Sequence, residues 1–293
     1  MRSQILDTLF QRMAANPDIF FLTADMGINL VEKFQQAYPE RYLNVGIAEQ
    51  NLIGVSAGLA NLGYRPFAYT ISNFAVHRCF EQIRNDVSLH QYPITILGTS
   101  AGYDNAPLGP THHMLDDWGA LKAIPGIAIY CPASIPYAAA LVDRLLTADH
   151  PAYVRIPKGG FAAPNSTAEA VLQPGTEREI LLITYGALAQ NCLAVQQADP
   201  RVAVLICNCL RPLDEENLAA ALSAHRRVIV VEDHFAASGL YGSLCELIVR
   251  RRLAVALDSL APRPGYPLEI GGSAEFFYRQ YGLDVAGLRR TLA

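Results

Sequence analysis

Short apolar segments alternate with helical periods along most of the chain, and this alternation is what most limits its fold. An apolar stripe within residues 4–14 predicts a helix, and the apolar segment 19–23 that follows predicts a strand. The same alternation continues to residue 148 and starts again at residue 180. Strands that alternate with helices form parallel sheets covered on both faces. The sequence therefore predicts an α/β fold with doubly wound parallel sheet.

The periodic pattern is interrupted between Phe161 and Pro174, where Ala, Pro, Ser and Thr dominate. Such a stretch is typical of a linker. We therefore predict two domains, 1–160 and 175–293, which suits a chain of 293 residues. In the second domain the predicted strands are 180–186, 202–207, 228–232 and 267–270.

Composition and charge exclude several classes of function. The 23 basic and 27 acidic residues give a net charge of −4, so a nucleic-acid role is not expected. No apolar run reaches the length of a membrane span, and the N-terminus lacks the layout of a signal peptide. The 6 cysteines show no CxxC spacing. We expect free thiols, no membrane partner and a cytoplasmic location.

Several segments place reactive side chains at the ends of strands, where open α/β sheets bind ligands. Glu49 begins a helix of small residues, Asp25 follows a strand, and Phe74 begins the next helix. A Gly/Pro loop presents the adjacent imidazoles of His112 and His113. Alone, Glu49 is explained equally simply as a solvated glutamate that favours a helix N-terminus. The combination of these segments is more informative than any one of them.

In chain order, these segments resemble the C-terminal half of transketolases, as found in the small subunits of split transketolases. The resemblance covers nearly all of the chain and is specific for the superfamily, although not for a substrate. The matching segments are Ala24-Asp25, Gly46-Ile-Ala-Glu-Gln50, Asn73-Phe74, Phe80-Glu-Gln-Ile-Arg84, Gly109-Pro-Thr-His112, Ala123-Ile-Pro-Gly126, Tyr153-Val-Arg-Ile-Pro157, Cys209-Leu-Arg-Pro-Leu-Asp214 and Val231-Glu-Asp-His-Phe-Ala-Ala-Ser-Gly-Leu240.

The resemblance implies that domain 1–160 binds the pyrimidine ring of thiamine diphosphate and that domain 175–293 is a transketolase C-terminal-like domain. Glu49 matches the glutamate that hydrogen-bonds N1′ of the ring and shares a proton with it, which promotes deprotonation of the thiazolium. Phe74 matches the aromatic that stacks on the pyrimidine. Ile71 replaces a second aromatic, and Asp25 matches an aspartate near the thiazolium.

The resemblance also implies substrate contacts. His112 matches a histidine that faces cofactor and substrate and stabilises or protonates oxygens of the intermediates. Arg2 and Arg155 match two arginines that bind a sugar phosphate, for which bidentate guanidinium groups are well suited. For each arginine, the alternative is a surface ion pair.

Three positions depart from the usual transketolase pattern. Ser100 replaces a histidine, Leu108 replaces an aspartate that contacts a substrate hydroxyl, and His113 replaces a glutamine. Loss of a hydroxyl-binding group strongly changes selectivity. We therefore expect a non-standard substrate pocket in which Ser100 and His113 contact substrate; Asp104 or Asn105 are alternative polar contacts.

The chain contains no Gly-Asp-Gly motif, which in this superfamily holds the diphosphate through Mg²⁺. The resemblance therefore implies a partner, an N-terminal transketolase-like subunit that supplies the diphosphate and Mg²⁺ site. The expected assembly is a heterotetramer of the α₂β₂ type, with the active site between subunits. In the second domain, Glu232 and His234 suggest a catalytic pair, but we expect a structural role, because this domain lies outside the reacting centre in transketolases.

The function implied is transfer of a two-carbon ketol, or a related acyl unit, to an aldehyde. One alternative is a pyruvate-using enzyme that resembles either deoxyxylulose-phosphate synthases or the β subunit of 2-oxo acid dehydrogenases. Another is a non-catalytic regulatory subunit that retains the fold. Release of CO₂ from pyruvate would distinguish the first alternative from ketol transfer, and Glu49, Phe74 and His112 argue against the second.

Overall fold

A computed structural model describes residues 1–158 and 166–293 and contains two sheets connected by helices. The first sheet draws its seven strands from both halves of the chain, and the second sheet has five strands. In chain order the strands are β1 Ile19–Thr23, β2 Tyr42–Asn44, β3 Arg65–Ile71, β4 Thr95–Thr99, β5 Ala128–Tyr130, β6 Ala152–Ile156, β7 Ala170–Gln173, β8 Ile180–Thr184, β9 Val202–Cys207, β10 Cys209–Arg211, β11 Arg227–Val231 and β12 Leu257–Leu260.

Helices cover both faces of each sheet. A π-helical turn, Ile83–Ser88, extends α5, and short 3₁₀ turns interrupt the loops. The α-helices are α1 Arg2–Ala15, α2 Glu32–Ala37, α3 Glu49–Asn61, α4 Ser72–Val76, α5 Phe80–Gln82, α6 Asp117–Leu121, α7 Ile135–Thr147, α8 Ala189–Ala198, α9 Glu215–Ala224, α10 Leu240–Arg251, α11 Ala274–Tyr281 and α12 Val285–Leu292.

The first sheet has the order β10-β5-β6-β4-β3-β1-β2, and every pair is parallel except β10 with β5. From β1 the chain moves to one side to form β2 and to the other side to form β3. This reversal creates a crevice at the carboxyl ends of β1 and β3, which is the usual ligand position in open α/β sheets. The second sheet has the order β12-β11-β8-β9-β7, and only β7 is antiparallel.

One hydrophobic core extends through both halves of the chain. The side chains of Leu52, Trp118, Leu210 and Leu240 belong to one continuous buried cluster. Two further clusters lie on the outer faces of the two sheets, one beneath α1 and α7 and the other beneath α8 and α12. Because the first of these cores is shared, the two sheets pack together rather than lying at the ends of a free linker.

The predicted α/β fold class is confirmed, with three differences in detail. Part of the predicted linker, residues 161–165, lies outside the described residues, and the remainder includes strand β7. The strand predicted at 267–270 is wrong; the edge strand is β12, Leu257–Leu260, which pairs with β11. The predicted helix 74–89 is divided into α4, α5 and the π-turn. The domain bounds 1–160 and 175–293 stay predictions, and β10 shows that residues 209–211 join the first sheet.

All six cysteines are free thiols. Within the described ranges, we find no helix both long and apolar enough to cross a membrane.

Candidate functional site

The carboxyl edge of the first sheet gathers most of the predicted site residues. β4, β3, β1 and β2 are consecutive neighbours in this sheet. Ser100 follows β4, Ile71 ends β3, Asp25 follows β1, and Glu49 begins α3 after β2. Because these strands are parallel, their ends meet at one edge, and the four positions form a row along it.

Glu49 is buried at this edge, in the first turn of α3, with 3% of its residue surface exposed. Its Oε2 accepts a hydrogen bond of 2.7 Å from Nη1 of Arg78, whose side chain is 44% exposed. The solvated-glutamate interpretation is therefore wrong. The carboxylate is withdrawn from water and makes its hydrogen bond to a charged, half-exposed donor, which another hydrogen-bonding partner can replace.

Phe74 lies beside this pair in α4. The Arg78 guanidinium carbon lies 4.3 Å from the centroid of the Phe74 ring, which is a cation–π contact. The ring of His112 approaches Phe74 edge-on, with centroids 5.3 Å apart and an interplanar angle of 75°. Glu49, Phe74 and His112 are thus brought together, with Arg78 between the carboxylate and the aromatic face.

The loop that carries His112 is fixed by two short 3₁₀ turns, Ala106–Leu108 and Pro110–His112. Gly109 joins the two turns at φ 78°, in the left-handed region that favours glycine. The side-chain amide of Asn73 donates to the backbone carbonyl of Thr111, which ties the loop to α4. The Thr111 hydroxyl lies 2.9 Å from Nδ1 of His112 and orients its ring.

His113 points away from His112 and is buried, with 2% of its surface exposed. Its ring contacts Tyr103 and Phe277 edge-on, at centroid distances of 5.2 and 4.9 Å. Among the described residues, neither ring nitrogen has a hydrogen-bond partner by distance and angle. Burial lowers the pKa of His113, although the backbone of Ala106 opposes this shift, so the imidazole is favoured in its neutral form.

Asp25 and Ser100 both adopt positive φ, at 44° and 68°. The Asp25 N–H donates to Oδ1 of Asn44 at 2.9 Å, and the Ser100 N–H donates to the Ile156 carbonyl at 3.1 Å. Non-glycine residues in this region cost free energy, and such strain concentrates at functional sites. Ile71, which precedes α4, is half-buried at the same edge.

Arg2 begins α1. It is half-buried and close to Tyr69. Burial raises the pKa of the Tyr69 phenol, and the Arg2 charge opposes that rise. Arg2 therefore lies against the face of the sheet that α1 covers, and its predicted contact with a substrate phosphate stays a prediction.

Arg155 does not have the position predicted for it. Only 1% of its surface is exposed, and Nε donates to both carboxylate oxygens of Asp117 at 3.1 and 3.0 Å. Nη1 donates to Asp233 at 2.9 Å, and Nη2 to the Met114 carbonyl at 2.8 Å. A guanidinium so enclosed has no access to a phosphate, and the alternative of a surface ion pair is also wrong. Arg155 instead joins the two halves of the chain.

Glu232 and His234 are also fully buried in this interdomain region. Glu232 accepts hydrogen bonds from the backbone N–H groups of Leu240 and Tyr241 and from the Tyr185 hydroxyl, at 2.9 to 3.1 Å. Burial nevertheless raises the pKa of Glu232 to about 8 and lowers that of His234 to about 4. Both groups are enclosed by protein at the start of α10, which is a structural environment.

Two family models match the chain. The transketolase pyrimidine binding domain matches residues 1–162, and the transketolase C-terminal domain matches residues 169–288. The chain belongs to the transketolase family. Among relatives, one of the subunits of the apulose-4-phosphate transketolase of Phocaeicola vulgatus is 31% identical over 99% of this chain and 95% of its own length.

Other transketolase-family relatives are longer. A 1-deoxy-D-xylulose-5-phosphate synthase of Thermus thermophilus is 31% identical over 98% of this chain, which spans 47% of that enzyme. Among solved structures, a split-gene transketolase described as an inactive β4 tetramer has a TM-score of 0.85 at 25% identity, covering 99% of this chain and 97% of its own. Transketolase from Leishmania mexicana shares the fold, with a TM-score of 0.79 at 18% identity over 99% of this chain and 44% of its own.

Four residues of this transketolase-family chain were missed by the sequence reasoning: Arg78, His77, Asp116 and Tyr266. Arg78 lies four positions after Phe74, and this spacing was the available signal, because such residues are neighbours on a helix. His77 and Asp116 pair across α4 and the loop. The contact of Tyr266, 150 residues away from Asp116 in the chain, had no local signal.

Proposed function

We propose that this chain is the pyrimidine-binding subunit of a split, thiamine-diphosphate-dependent enzyme that transfers a two-carbon ketol unit to an aldehyde. The contact that carries the proposal joins Glu49, Arg78 and Phe74. A planar cation already stacks on Phe74 at 4.3 Å while donating to Glu49 at 2.7 Å. A flat heterocycle whose ring nitrogen shares a proton with a carboxyl group needs the same two partners, an aromatic face and a buried carboxyl group, so the residues fit the aminopyrimidine.

Thiamine diphosphate, when bound, supplies the carbanion chemistry that side chains lack. The chain's own residues then have separate tasks. Glu49 would release Arg78, form a hydrogen bond with the ring nitrogen in its place, and hold a proton at that contact. Its burial strengthens the interaction, because electrostatic energies rise as water is excluded. Phe74 orients the ring, and Ile71 adds an apolar wall.

His112 is proposed to act on the substrate side. Its ring lies against Phe74 and is oriented by Thr111. An imidazole in this position holds or donates a proton at a substrate oxygen. Asp25 is proposed to lie near the thiazolium, and Ser100 and His113 to contact substrate; Arg2 is the remaining candidate for a distal phosphate.

We propose that a separate N-terminal transketolase-like subunit supplies the diphosphate and Mg²⁺ site and that the subunits form a heterotetramer. The apulose-4-phosphate transketolase relative is itself one subunit of its enzyme and matches this chain almost end to end, which supports a split enzyme. The outer face of α3 supports a contact surface: a Cβ added at Gly54 or Gly58 would meet no atom within 4 Å. Ile47 and Leu62 are exposed at the two ends of that face. We propose a cytoplasmic location for the assembly.

Pyruvate use is the second candidate function. The relatives include several 1-deoxy-D-xylulose-5-phosphate synthases at 28–32% identity. Leu108, 56% exposed on the first 3₁₀ turn, offers no carboxylate where transketolases contact a substrate hydroxyl. A donor without that hydroxyl suits this position. CO₂ release from pyruvate in the presence of an aldehyde distinguishes the two candidates.

Purification of the native assembly tests the proposal. The chain is tagged in its native host, the mass of the complex is determined, and bound thiamine diphosphate is quantified. A partner of similar size with stoichiometric cofactor is expected, followed by turnover with ketose or pyruvate donors. A homodimer that does not bind thiamine diphosphate with added Mg²⁺ would overturn the proposal in favour of a non-catalytic relative.

A further inference from the structure

A cavity of about 320 Å³ lies beside the loop that carries His112. α4 contributes Asn73 at its wall, with His77 directly after the helix, and the loop contributes Thr111. Asp116 precedes α6, and Tyr266 comes from the second half of the chain. The cavity is thus built by both domains, one residue away from His112.

Three of the lining groups hold each other in place. His77 Nε2 lies 2.9 Å from Oδ1 of Asp116, and the Tyr266 hydroxyl donates to Oδ2 of the same carboxylate. The hydrogen bond to Asp116 raises the pKa of His77. The Tyr266 ring packs edge-on against Phe235 at 5.6 Å, and the Phe235 N–H donates to the Leu115 carbonyl at 2.8 Å. The cavity wall is therefore organised without a ligand.

His113 also lines this cavity and gives an independent indication of a ligand. Its two ring nitrogens are buried, and within residues 1–158 and 166–293 neither makes a hydrogen bond that meets the distance and angle criteria, although the backbone of Ala106 interacts with the ring. Leaving a buried polar group without a partner costs about 1–3 kcal/mol. A hydroxyl or carbonyl oxygen bound in the cavity would satisfy one of these nitrogens.

The charges of the wall restrict the ligand class. In the part of the chain that the structure describes, the side chains lining the cavity include no lysine or arginine, and the one ionised acid there, Asp116, repels anions. His77 is already paired with Asp116. Alcohol groups, in contrast, match the free acceptor capacity of the carboxylate, the Tyr266 oxygen and the imidazoles. The volume suits a short carbon chain rather than a nucleotide.

We propose that this cavity binds the uncharged, hydroxylated part of an aldose acceptor, and that Tyr266 is a specificity-determining residue contributed by the C-terminal domain. The inference rests on the proposed function, because His112, the residue proposed to act on the substrate, is joined to the cavity wall through Thr111. Asp116, held by His77 and Tyr266, provides the carboxylate that Leu108 does not. On this proposal the C-terminal domain contributes one residue, Tyr266, to substrate binding.

The test compares wild-type and Tyr266→Phe holoenzymes with glycolaldehyde, D-erythrose and D-ribose as acceptors and the donor that the wild type uses. The variant keeps the ring on Phe235 and removes only the hydroxyl. The KM for D-erythrose and D-ribose should rise about tenfold, which corresponds to the loss of one hydrogen bond. The kcat and the KM for glycolaldehyde, which is too short to fill the cavity, should stay within about twofold.

Asp116→Asn should reproduce the selective rise in KM, and Tyr241→Phe, which changes a tyrosine of α10 outside the cavity, should leave all three acceptors unchanged. Thiamine diphosphate affinity should be equal in all variants. Equal KM changes for glycolaldehyde and D-ribose, or none in Tyr266→Phe, would overturn the inference while ketol transfer stands. A wild-type holoenzyme that uses no aldehyde would overturn the proposed function itself, and this inference with it.

Discussion

Two arginine–carboxylate contacts in this chain share one chemistry and differ in their surroundings. At the sheet edge, the half-exposed Arg78 makes one hydrogen bond to Glu49 and stacks on Phe74. Between the domains, Arg155 is enclosed and bridges Asp117 and Asp233. The first contact is exchangeable, because water reaches the arginine and a single partner must be released. The second is fixed, because moving Arg155 would strand two carboxylates inside the protein.

The space around the backbone next to each arginine–carboxylate contact supports this difference between an exchangeable and a fixed contact. A Cβ at Gly102, where φ is 54°, would lie 2.1 Å from a carboxylate oxygen of Asp233, so the interdomain contact depends on a close backbone approach. Beside Glu49, in contrast, a Cβ at Gly46 would meet no atom within 4 Å. Free space next to a buried carboxylate is what a ligand site requires, and its absence beside Asp233 is what a structural contact requires.

The largest effect is expected from Glu49→Gln. Glutamine keeps the shape and a hydrogen bond but cannot exchange the proton, so turnover of the reconstituted enzyme should fall about 10³-fold. Thiamine diphosphate binding should weaken much less, and assembly should be unchanged in size-exclusion chromatography. Glu81→Gln, an exposed carboxylate on α5, is the matched control. Undiminished turnover in Glu49→Gln would remove the catalytic role of the exchangeable contact.

Arg155→Met should be the largest change in stability. Removing the guanidinium leaves Asp117 and Asp233 buried without their partner, and losses of about 3–5 kcal/mol are typical of a broken buried pair. Arg12→Met, which disrupts an exposed pair with Asp143, should cost less than about 1 kcal/mol. Chemical denaturation of the two variants measures the difference. A stable Arg155→Met protein with weakened binding of sugar phosphates would restore the substrate role that the family resemblance implies for Arg155.

The case of Arg155 shows which part of the site can be predicted from the sequence and which part cannot. Strand-end positions are local properties, so Asp25, Glu49, Ile71 and Ser100 could be placed on one edge from periodicity and parallel pairing alone. Arg155 also ends a strand, β6, but its partners Asp117 and Asp233 lie 38 and 78 residues away. Whether an arginine meets a ligand or a buried carboxylate is decided by tertiary packing, which the pattern of one segment does not contain.

The same limit applies to the fold. The buried strands with continuous apolar runs, such as β8 and β9, were predictable because their hydrophobicity is sufficient to define them. The edge strand β12, Leu-Asp-Ser-Leu, is polar at its centre, and its sequence is no more typical of a strand than 267–270, which forms none. β7 lies in a segment whose composition is typical of a linker, so the sequence does not predict it. An edge strand forms because it pairs with a neighbouring strand, so its own sequence is a weak signal.

The stability of the protein should also depend on pH through the interdomain residues Glu232 and His234. Glu232 binds a proton up to about pH 8 in the folded state but has an unfolded pKa of 4.5, so its contribution is lost as pH rises toward 8. His234 has the opposite sign: its contribution falls as pH drops from 6.5 toward 4. Of these two groups only Glu232 titrates above pH 6.5, and its contribution to stability should decline by up to about 2 kcal/mol by pH 8. Thermal denaturation across this pH range measures the decline.

Glu232→Gln provides the control for that slope. The amide faces backbone N–H donors, so the variant should be less stable at every pH, but its stability should fall much less between pH 6.5 and 8, with the remaining decline coming from His77, whose pKa is raised by Asp116. An undiminished decline in Glu232→Gln would assign the pH dependence to other groups of the interdomain region.

The smallest effect, and the most specific for the exchangeable contact, is expected from Arg78→Met. If the guanidinium occupies the place of the pyrimidine, the cofactor must release a charge-assisted hydrogen bond before it binds. Removing that competitor should tighten thiamine diphosphate binding about tenfold, or about 1.4 kcal/mol, in calorimetry on the complex. Arg12→Met should leave the affinity unchanged. Weaker binding in Arg78→Met would mean that Arg78 moves aside to contact the cofactor, and the sheet-edge arginine would then be a ligand of the site rather than its temporary occupant.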